Sequence, residues 1–297
     1  MEENKKMEVE PDWLPEGYRT DEIKGGRIER MEYETMTPGP NPKKTRKILN
    51  VYVPEGYDAA ESTVKYDVFY LMHGGGENEN TLLSGPGQPS ELKNIFDHMI
   101  ATHELRPMII VTPTWYVEDN EDIRYMANIF YEELVRDVMP LVESTYHTYA
   151  KDTTPEGMKA SREHRAFGGF SMGGACTWMV YLNCMEYFKY YMPLSGDCWA
   201  LVMRGGIEKT VETVNLLVEA AKEAKQKNLD FVLACATGTE DIAYPNMVPQ
   251  LEEMKKHTDE FTTGENGNLS FLTKQGATHW WHYVYEYIYR LLPTFFN

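Results

Sequence analysis

Five residues, Gly169-Phe170-Ser171-Met172-Gly173, constrain this chain more than any other stretch. They read as a G-x-S-x-G nucleophile elbow, a tight turn that carries the backbone from a buried strand directly into a helix. The serine of such a turn sits in a strained conformation, and side chains at the flanking glycines would strike the neighbouring strand and helix. Both neighbours are legible here. An apolar-leaning run from Arg165 to Phe170 enters the turn, and a helix-like run from Met172 to Leu182 leaves it. Ser171 then projects above a sheet, and the start of the helix points its amides at the same spot, which places the N–H of Met172 to stabilise an oxyanion.

An elbow needs a sheet to stand on, and the chain supplies one. Val68 to Met72, Pro107 to Thr112, Tyr190 to Leu194, Phe231 to Ala236 and Leu269 to Thr273 read as short buried strands. Helical patterns lie between and after them. One opens at Pro89-Ser90 with Leu92, Ile95, Phe96, Met99 and Ile100 on a single face, and a long one spans Ile129 to Tyr146 with Leu134, Val135, Val138, Leu141 and Val142 inward. Others cover Val211 to Lys227, begin at Pro245, and close the chain with Tyr283, Val284, Tyr287, Ile288, Leu291 and Leu292 on one face. This alternation predicts an α/β fold with right-handed crossovers and a mostly parallel central sheet. Arg27 to Tyr33 and Ile48 to Val53, separated by the turn-rich Thr37 to Lys44, predict antiparallel leading strands. The 297 residues suffice for one catalytic domain over 26–297, preceded by a polar extension over 1–25 that is loosely ordered to about Asp12.

Charge narrows the function classes. With 46 acidic against 29 basic residues the formal charge is −17, which repels phosphate backbones and anionic membrane surfaces. No nucleic-acid partner and no membrane partner is expected. No apolar run approaches the ~20 residues that span a bilayer, and no signal peptide is visible, so the expected address is cytoplasmic as the chain stands, or secreted if a leader has been removed. Cys176, Cys184, Cys198 and Cys235 are too sparse for a disulfide framework and read as buried free thiols. No ligand spacing suggests zinc, and neither metal nor cofactor is expected.

A second signal follows the first long apolar run. His73-Gly74-Gly75-Gly76-Glu77-Asn78 is an HGG-type loop, whose glycines let backbone amides approach a substrate oxygen, so Gly74 and Gly75 are the candidates for the second oxyanion donor beside Met172. A serine hydroxyl also needs a base to take its proton, and the base needs a carboxylate to fix its tautomer. Of the three histidines after Ser171, His257 lies among Lys255, Lys256 and Asp259 on a solvated helix, and His282 already enters the last helix. His279, in the loop after the last strand, is the expected base. Asp241, after the strand before last, is the preferred acid, with its neighbour Glu240 and with Asp197, one strand earlier, as alternatives.

Five segments taken together resemble the feruloyl esterases of carbohydrate esterase family 1, above all the esterase modules of clostridial cellulosomal xylanases. They are His73 to Asn80, Gly168 to Gly174, Pro193 to Asp197, Thr237 to Tyr244 and Gly276 to Trp281, and the likeness extends from about Gly26 to the end. The resemblance implies an α/β-hydrolase that removes hydroxycinnamoyl groups from arabinose on xylan, with Ser171, Asp241 and His279 as its triad. The substrate it implies is a feruloylated xylo- or arabino-oligosaccharide or a small phenolic ester. Trp115, Trp199, Tyr244, Trp280 and Trp281 are aromatic candidates for stacking on a phenolic ring, and Asp197 for a substrate hydroxyl. Other acyl groups, acetyl above all, and acyl transfer to a sugar are the competing readings, since the fold does not choose between them. The xylanase, dockerin or carbohydrate-binding modules usually joined to such esterases are not visible in the chain, and its oligomeric state is not read from it.

Overall fold

Strands β1 (Arg27–Met36) and β2 (Lys44–Val53) pair antiparallel along their full length, from Arg27 opposite Val53 to Met36 opposite Lys44. The computed structural model describes residues 9–37, 42–117 and 122–296, so the turn expected between these two strands lies partly outside the described residues. Six further strands complete one sheet: β3 (Asp67–Met72), β4 (Met108–Thr112), β5 (Arg165–Phe170), β6 (Tyr190–Leu194), β7 (Val232–Gly238) and β8 (Leu269–Lys274). Their order is β1-β2-β4-β3-β5-β6-β7-β8. β2 meets β4 antiparallel, and all later neighbours are parallel. This is the mostly parallel sheet with antiparallel leading strands that the sequence predicts, and it has the α/β-hydrolase form.

Helices fill the crossovers. α1 (Asn80–Leu83) and α2 (Glu91–Ala101) follow β3, and Ser90 caps α2 by accepting from the Lys93 N–H. After β4 come α3 (Ile123–Glu133) and α4 (Met139–Thr145), joined by a π-helical turn over Leu134–Val138. The sequence predicts one helix over Ile129 to Tyr146; the observed one starts six residues earlier, where the Asp122 side chain accepts from the Tyr125 N–H. Its π turn lies just before Pro140, which has no N–H to donate and whose ring crowds the preceding turn. α5 (Pro155–Ala160) precedes β5, and α6 (Met172–Asn183) leaves it. α7 (Gly205–Glu208) and α8 (Thr210–Gln226) follow β6, α9 (Tyr244–Met254) follows β7, and α10 (Trp281–Leu291) follows β8.

Because successive strand residues point to opposite faces, the sheet feeds two cores. Val68, Tyr70, Met72, Phe167, Tyr191 and Cys235 join α3, α6 and α8 on one side. Phe69, Leu71, Ala166, Met192 and Ala236 join α2 and α10 on the other. Leu14 and Tyr18, inside the polar opening stretch, belong to this second core. There the Trp13 N–H donates to Glu286 Oε2 at 2.7 Å, and Lys274 Nζ donates to the Pro11 carbonyl at 2.6 Å. All four cysteines are buried and free, as expected, and burial pushes the Cys198 thiol up to about 12. No helix among the described residues is long and apolar enough to cross a membrane.

Register decides where the site can be. Met72 lies opposite Gly169, Phe170 opposite Leu194, Leu194 opposite Ala236, and Gly238 opposite Lys274. The C-terminal ends of β3, β5, β6, β7 and β8 are therefore level, and the loops leaving them share one edge of the sheet, the edge where open parallel sheets form ligand sites.

Candidate active site

Between the last residue of β5 and the first of α6 there is one residue, Ser171, with φ 59° and ψ −117°. A side-chain-bearing residue holds such a conformation only at a cost of about 1–3 kcal/mol, met by the surrounding structure. Here the Ser171 N–H donates to the Leu194 carbonyl at 2.9 Å and the Ser171 carbonyl accepts from the Ala175 N–H at 3.0 Å. A Cβ on Gly169 would lie 2.5 Å from the Gly173 carbonyl oxygen, and one on Gly173 2.5 Å from that of Met72. Only glycine lets strand and helix close this far.

His279 occupies the loop between β8 and α10, with Nε2 2.8 Å from Ser171 Oγ and Nδ1 2.6 Å from Asp241 Oδ1. A carboxylate can only accept, so Nδ1 of the neutral ring carries the proton and Nε2 turns a lone pair toward the serine hydroxyl. Phe170 packs against the imidazole at 4.4 Å and steadies its plane. Asp241 is buried in the loop after β7, where Oδ1 also accepts from the Ala243 N–H at 2.7 Å. Oδ2 is buried without a hydrogen-bond partner among the described residues, so its charge is best compensated when His279 gains a second proton.

The other candidates for base and acid lie elsewhere. Glu240 is exposed. Asp197 is buried, and its two oxygens accept from the Trp199 indole at 3.0 Å and the Gly206 N–H at 2.8 Å; burial holds its carboxyl above the ordinary carboxylate range. His257 follows α9, and His282 stacks on Trp280 with ring centres 5.2 Å apart.

Around the glycine loop the contacts are unequal. The Gly74 N–H donates to Glu77 Oε2 at 2.7 Å and the Gly76 N–H to the Tyr116 hydroxyl at 2.7 Å. Between them, the Gly75 N–H has no acceptor among the described residues, and neither has that of Met172, the first residue of α6. His73 holds the loop from beneath: Nδ1 is 2.8 Å from the Gly74 carbonyl and Nε2 2.8 Å from Thr114 Oγ1. Since a carbonyl only accepts, Nδ1 bears the hydrogen and Nε2 accepts from Thr114. Burial lowers the His73 pKa to about 4, so the ring is neutral across the ordinary pH range. A cleft of about 440 Å³ opens beside Ser171 and His279, lined by Asp197, Trp199, Met203 and Ile242 among others.

Residues 42–291 match the family model for esterases described as "Putative esterase". The chain belongs to the esterase family. The reaction class of this esterase is carboxylic ester hydrolysis at a serine. Its sequence is 46% identical over 285 residues to endo-1,4-beta-xylanase Y of Acetivibrio thermocellus, covering 95% of this chain and 24% of that protein. The esterase spans about a quarter of the length of the curated relatives it matches. Among solved structures it is similar to a mutant of the feruloyl esterase module from Clostridium thermocellum complexed with sinapinate. There the identity is 43% and the TM-score 0.83, covering 98% of this chain and 96% of that one. A ferulic acid esterase of carbohydrate esterase family 1 from Anaeromyces mucronatus, in complex with ferulic acid, shares the fold. It has 20% identity and a TM-score of 0.68, over 95% of this chain and 96% of that one. The resemblance read from the five sequence segments is thus borne out.

The remaining aromatic candidates of the esterase divide by burial. Trp199 lines the cleft. Trp280 is 60% exposed beside His279. Trp281 is half-buried, with its ring 4.6 Å from Phe170 and its indole N–H donating to Glu77. Tyr244 begins α9 and is half-buried outside the cleft lining. Trp115 is 1% exposed under Tyr116 and His73, so it supports the glycine loop and does not face the cleft. Sequence reasoning missed Glu77, Tyr116 and Thr114, which hold that loop; a carboxylate three residues after the first glycine was the one available signal. Asp12, His282 and Glu286 bring ligand atoms within 4.8 Å of one another, but Arg19 already pairs with both carboxylates, so the donor set suits a guanidinium and not a metal ion.

Proposed function

We propose that this esterase hydrolyses hydroxycinnamoyl esters, feruloyl above all, on arabinoxylan-derived sugars, through an acyl-enzyme on Ser171. The observation that carries the substrate is the 43% identity, over nearly the whole chain, to a feruloyl esterase module complexed with sinapinate, itself a hydroxycinnamate. The cleft supports it, since Trp199, Met203 and Ile242 offer an apolar surface to a planar phenolic acyl group beside the serine.

In this reading His279 Nε2 takes the Ser171 proton as Oγ attacks the ester carbonyl. The amides of Met172 and Gly75 receive the oxyanion, while Gly74, whose own N–H is engaged, shapes the loop. Asp241 holds the imidazolium that forms. Collapse of the tetrahedral adduct breaks the bond to the sugar oxygen, which leaves with the proton held on Nε2. Water, deprotonated by the same nitrogen, then attacks the acyl-enzyme and releases ferulate and free Ser171. Trp199 and Asp197 contact the acyl group or frame its pocket, and Trp280 faces the sugar. Residues 26–297 form the catalytic domain, with 1–25 as its extension.

The test is release of ferulate from methyl ferulate and from a feruloylated arabinoxylan oligosaccharide, with an acetyl ester alongside and Ser171→Ala as control. Ser171-dependent release is expected, at a higher kcat/KM than for acetyl, with a loss of about 10⁴-fold or more in the variant. Hydrolysis of the acetyl ester alone overturns the substrate, and near-normal turnover by Ser171→Ala overturns the nucleophile.

A further inference from the structure

We propose that Glu77 is a positioning residue that ties the oxyanion loop to the segment bearing His279. The inference rests on the catalytic roles proposed above for Ser171, His279 and Gly75. The Glu77 carboxylate is divided between two parts of the site that lie 204 residues apart in sequence. Oε2 accepts the Gly74 N–H at 2.7 Å, and Oε1 accepts the indole N–H of Trp281 at 2.5 Å. Trp281 lies two residues beyond His279 and opens α10. Its ring packs on Phe170, which precedes Ser171 and packs in turn on the His279 imidazole. One side chain therefore joins the loop after β3 to the first residue of α10, with the elbow between them.

The chemistry requires a carboxylate. Both groups facing Glu77 are N–H donors without acceptor capacity, so the residue between them must accept on two oxygens. Glutamine, of the same shape, would satisfy one and confront the other with its own amide hydrogens. The contact also settles which loop amide is left to the substrate. With Gly74 N–H drawn to Glu77 and Gly76 N–H to Tyr116, only the Gly75 N–H between them remains without an acceptor among the described residues. Loss of Glu77 frees the Gly74 amide and loosens the peptide that orients Gly75, while Ser171 and His279 keep their own contacts.

The experiment compares wild type with Glu77→Gln, Glu77→Ala, Trp281→Phe and the double variant Glu77→Gln/Trp281→Phe, on methyl ferulate and on p-nitrophenyl acetate, with Tm measured for each. Glu77→Gln is expected to lower kcat about 10- to 100-fold on both esters with KM within threefold, the loss that follows when an oxyanion donor is displaced but not removed. Tm should stay within about 3 °C, and the double variant should lose no more than the worse single variant, because both act through one linkage. A kcat within twofold of wild type, a loss that follows Tm, or strictly additive losses would each overturn the proposal. Wild type that cleaves only the acetate ester would defeat the feruloyl reading alone, since the Glu77 comparison is still read on that ester.

Discussion

At the scale of the single residue, the proposed chemistry turns on which nitrogen of His279 carries a proton. Asp241→Asn can present an amide hydrogen to Nδ1 and so favour the opposite tautomer, which takes the lone pair away from Ser171. A fall in kcat of about 10³- to 10⁴-fold is expected. Asp197→Asn should cost less than tenfold in kcat and act mainly on KM, through the Trp199 indole that Asp197 holds; equal, mild losses in the two variants would refute the assignment. His73 gives a test by pH. Its ordinary pKa of 6.5 is lowered by burial to about 4, so between these values the unfolded chain binds the extra proton and the folded chain does not. Stability therefore falls as pH drops from about 6.5 toward 4, by up to roughly 3 kcal/mol from this group. Urea midpoints measured at pH 7 and pH 4.5 should converge in His73→Gln relative to wild type, and an unchanged difference would count against the buried neutral ring. The pairing of Ser171 with His279 could be read from the sequence because a turn that demands glycines, and a histidine after the last strand, leave local marks. Trp115 could not be placed, since a tryptophan at a strand end looks the same whether its loop opens to solvent or folds beneath a glycine loop.

At the scale of the element, the strand that leads into Ser171 is anchored at its far end. Arg165, the first residue of β5, donates from Nε and Nη2 to the two oxygens of Glu143 at 2.6 and 2.9 Å, and the Tyr70 hydroxyl donates to Glu143 at 3.0 Å. Both charged side chains are buried. Glu143→Ala would leave the guanidinium unpaired in the core and should cost about 3–5 kcal/mol, read as a shift of the urea midpoint. The refolded variant should keep its kcat, because the pair lies at the opposite end of β5 from Ser171. A loss of stability under 1 kcal/mol would show that Arg165 finds other compensation. Strands buried on both faces were legible to within a residue or two, as continuous apolar runs bounded by polar loops. Short helices such as α1, α5 and α7 were not, because four to six residues carry no period. The start of α3 carries Ile123, Met126, Ala127 and Phe130 at helical spacing, but it follows directly on the acidic run from Glu118 to Asp122, which reads as loop; the placing of β4 outside β3 is a matter of long-range pairing that no local pattern records.

At the scale of the whole molecule, the opening stretch matters to stability out of proportion to its polarity. Leu14 and Tyr18 are buried, and Pro11 and Trp13 supply hydrogen bonds to the buried Lys274–Glu286 pair. Removing residues 1–20 should cost several kcal/mol, at about 1.5–3 kcal/mol for each buried apolar side chain and more for the exposed ion pair. Chemical denaturation would measure it, and an unchanged midpoint would show that the stretch only rests on the surface. The site itself is gathered from remote places: Ser171 and His279 are 108 residues apart and Glu77 and Trp281 are 204 apart. Contacts so distant along the chain close late and slowly, since much loop entropy is lost before they form. Ser171 and His279 sit on segments that the sheet brings together only through β5, β6, β7 and β8 in turn, so activity requires every one of these pairings to be in place. Recovery of activity on refolding therefore cannot precede completion of the sheet, whereas recovery of helix content can.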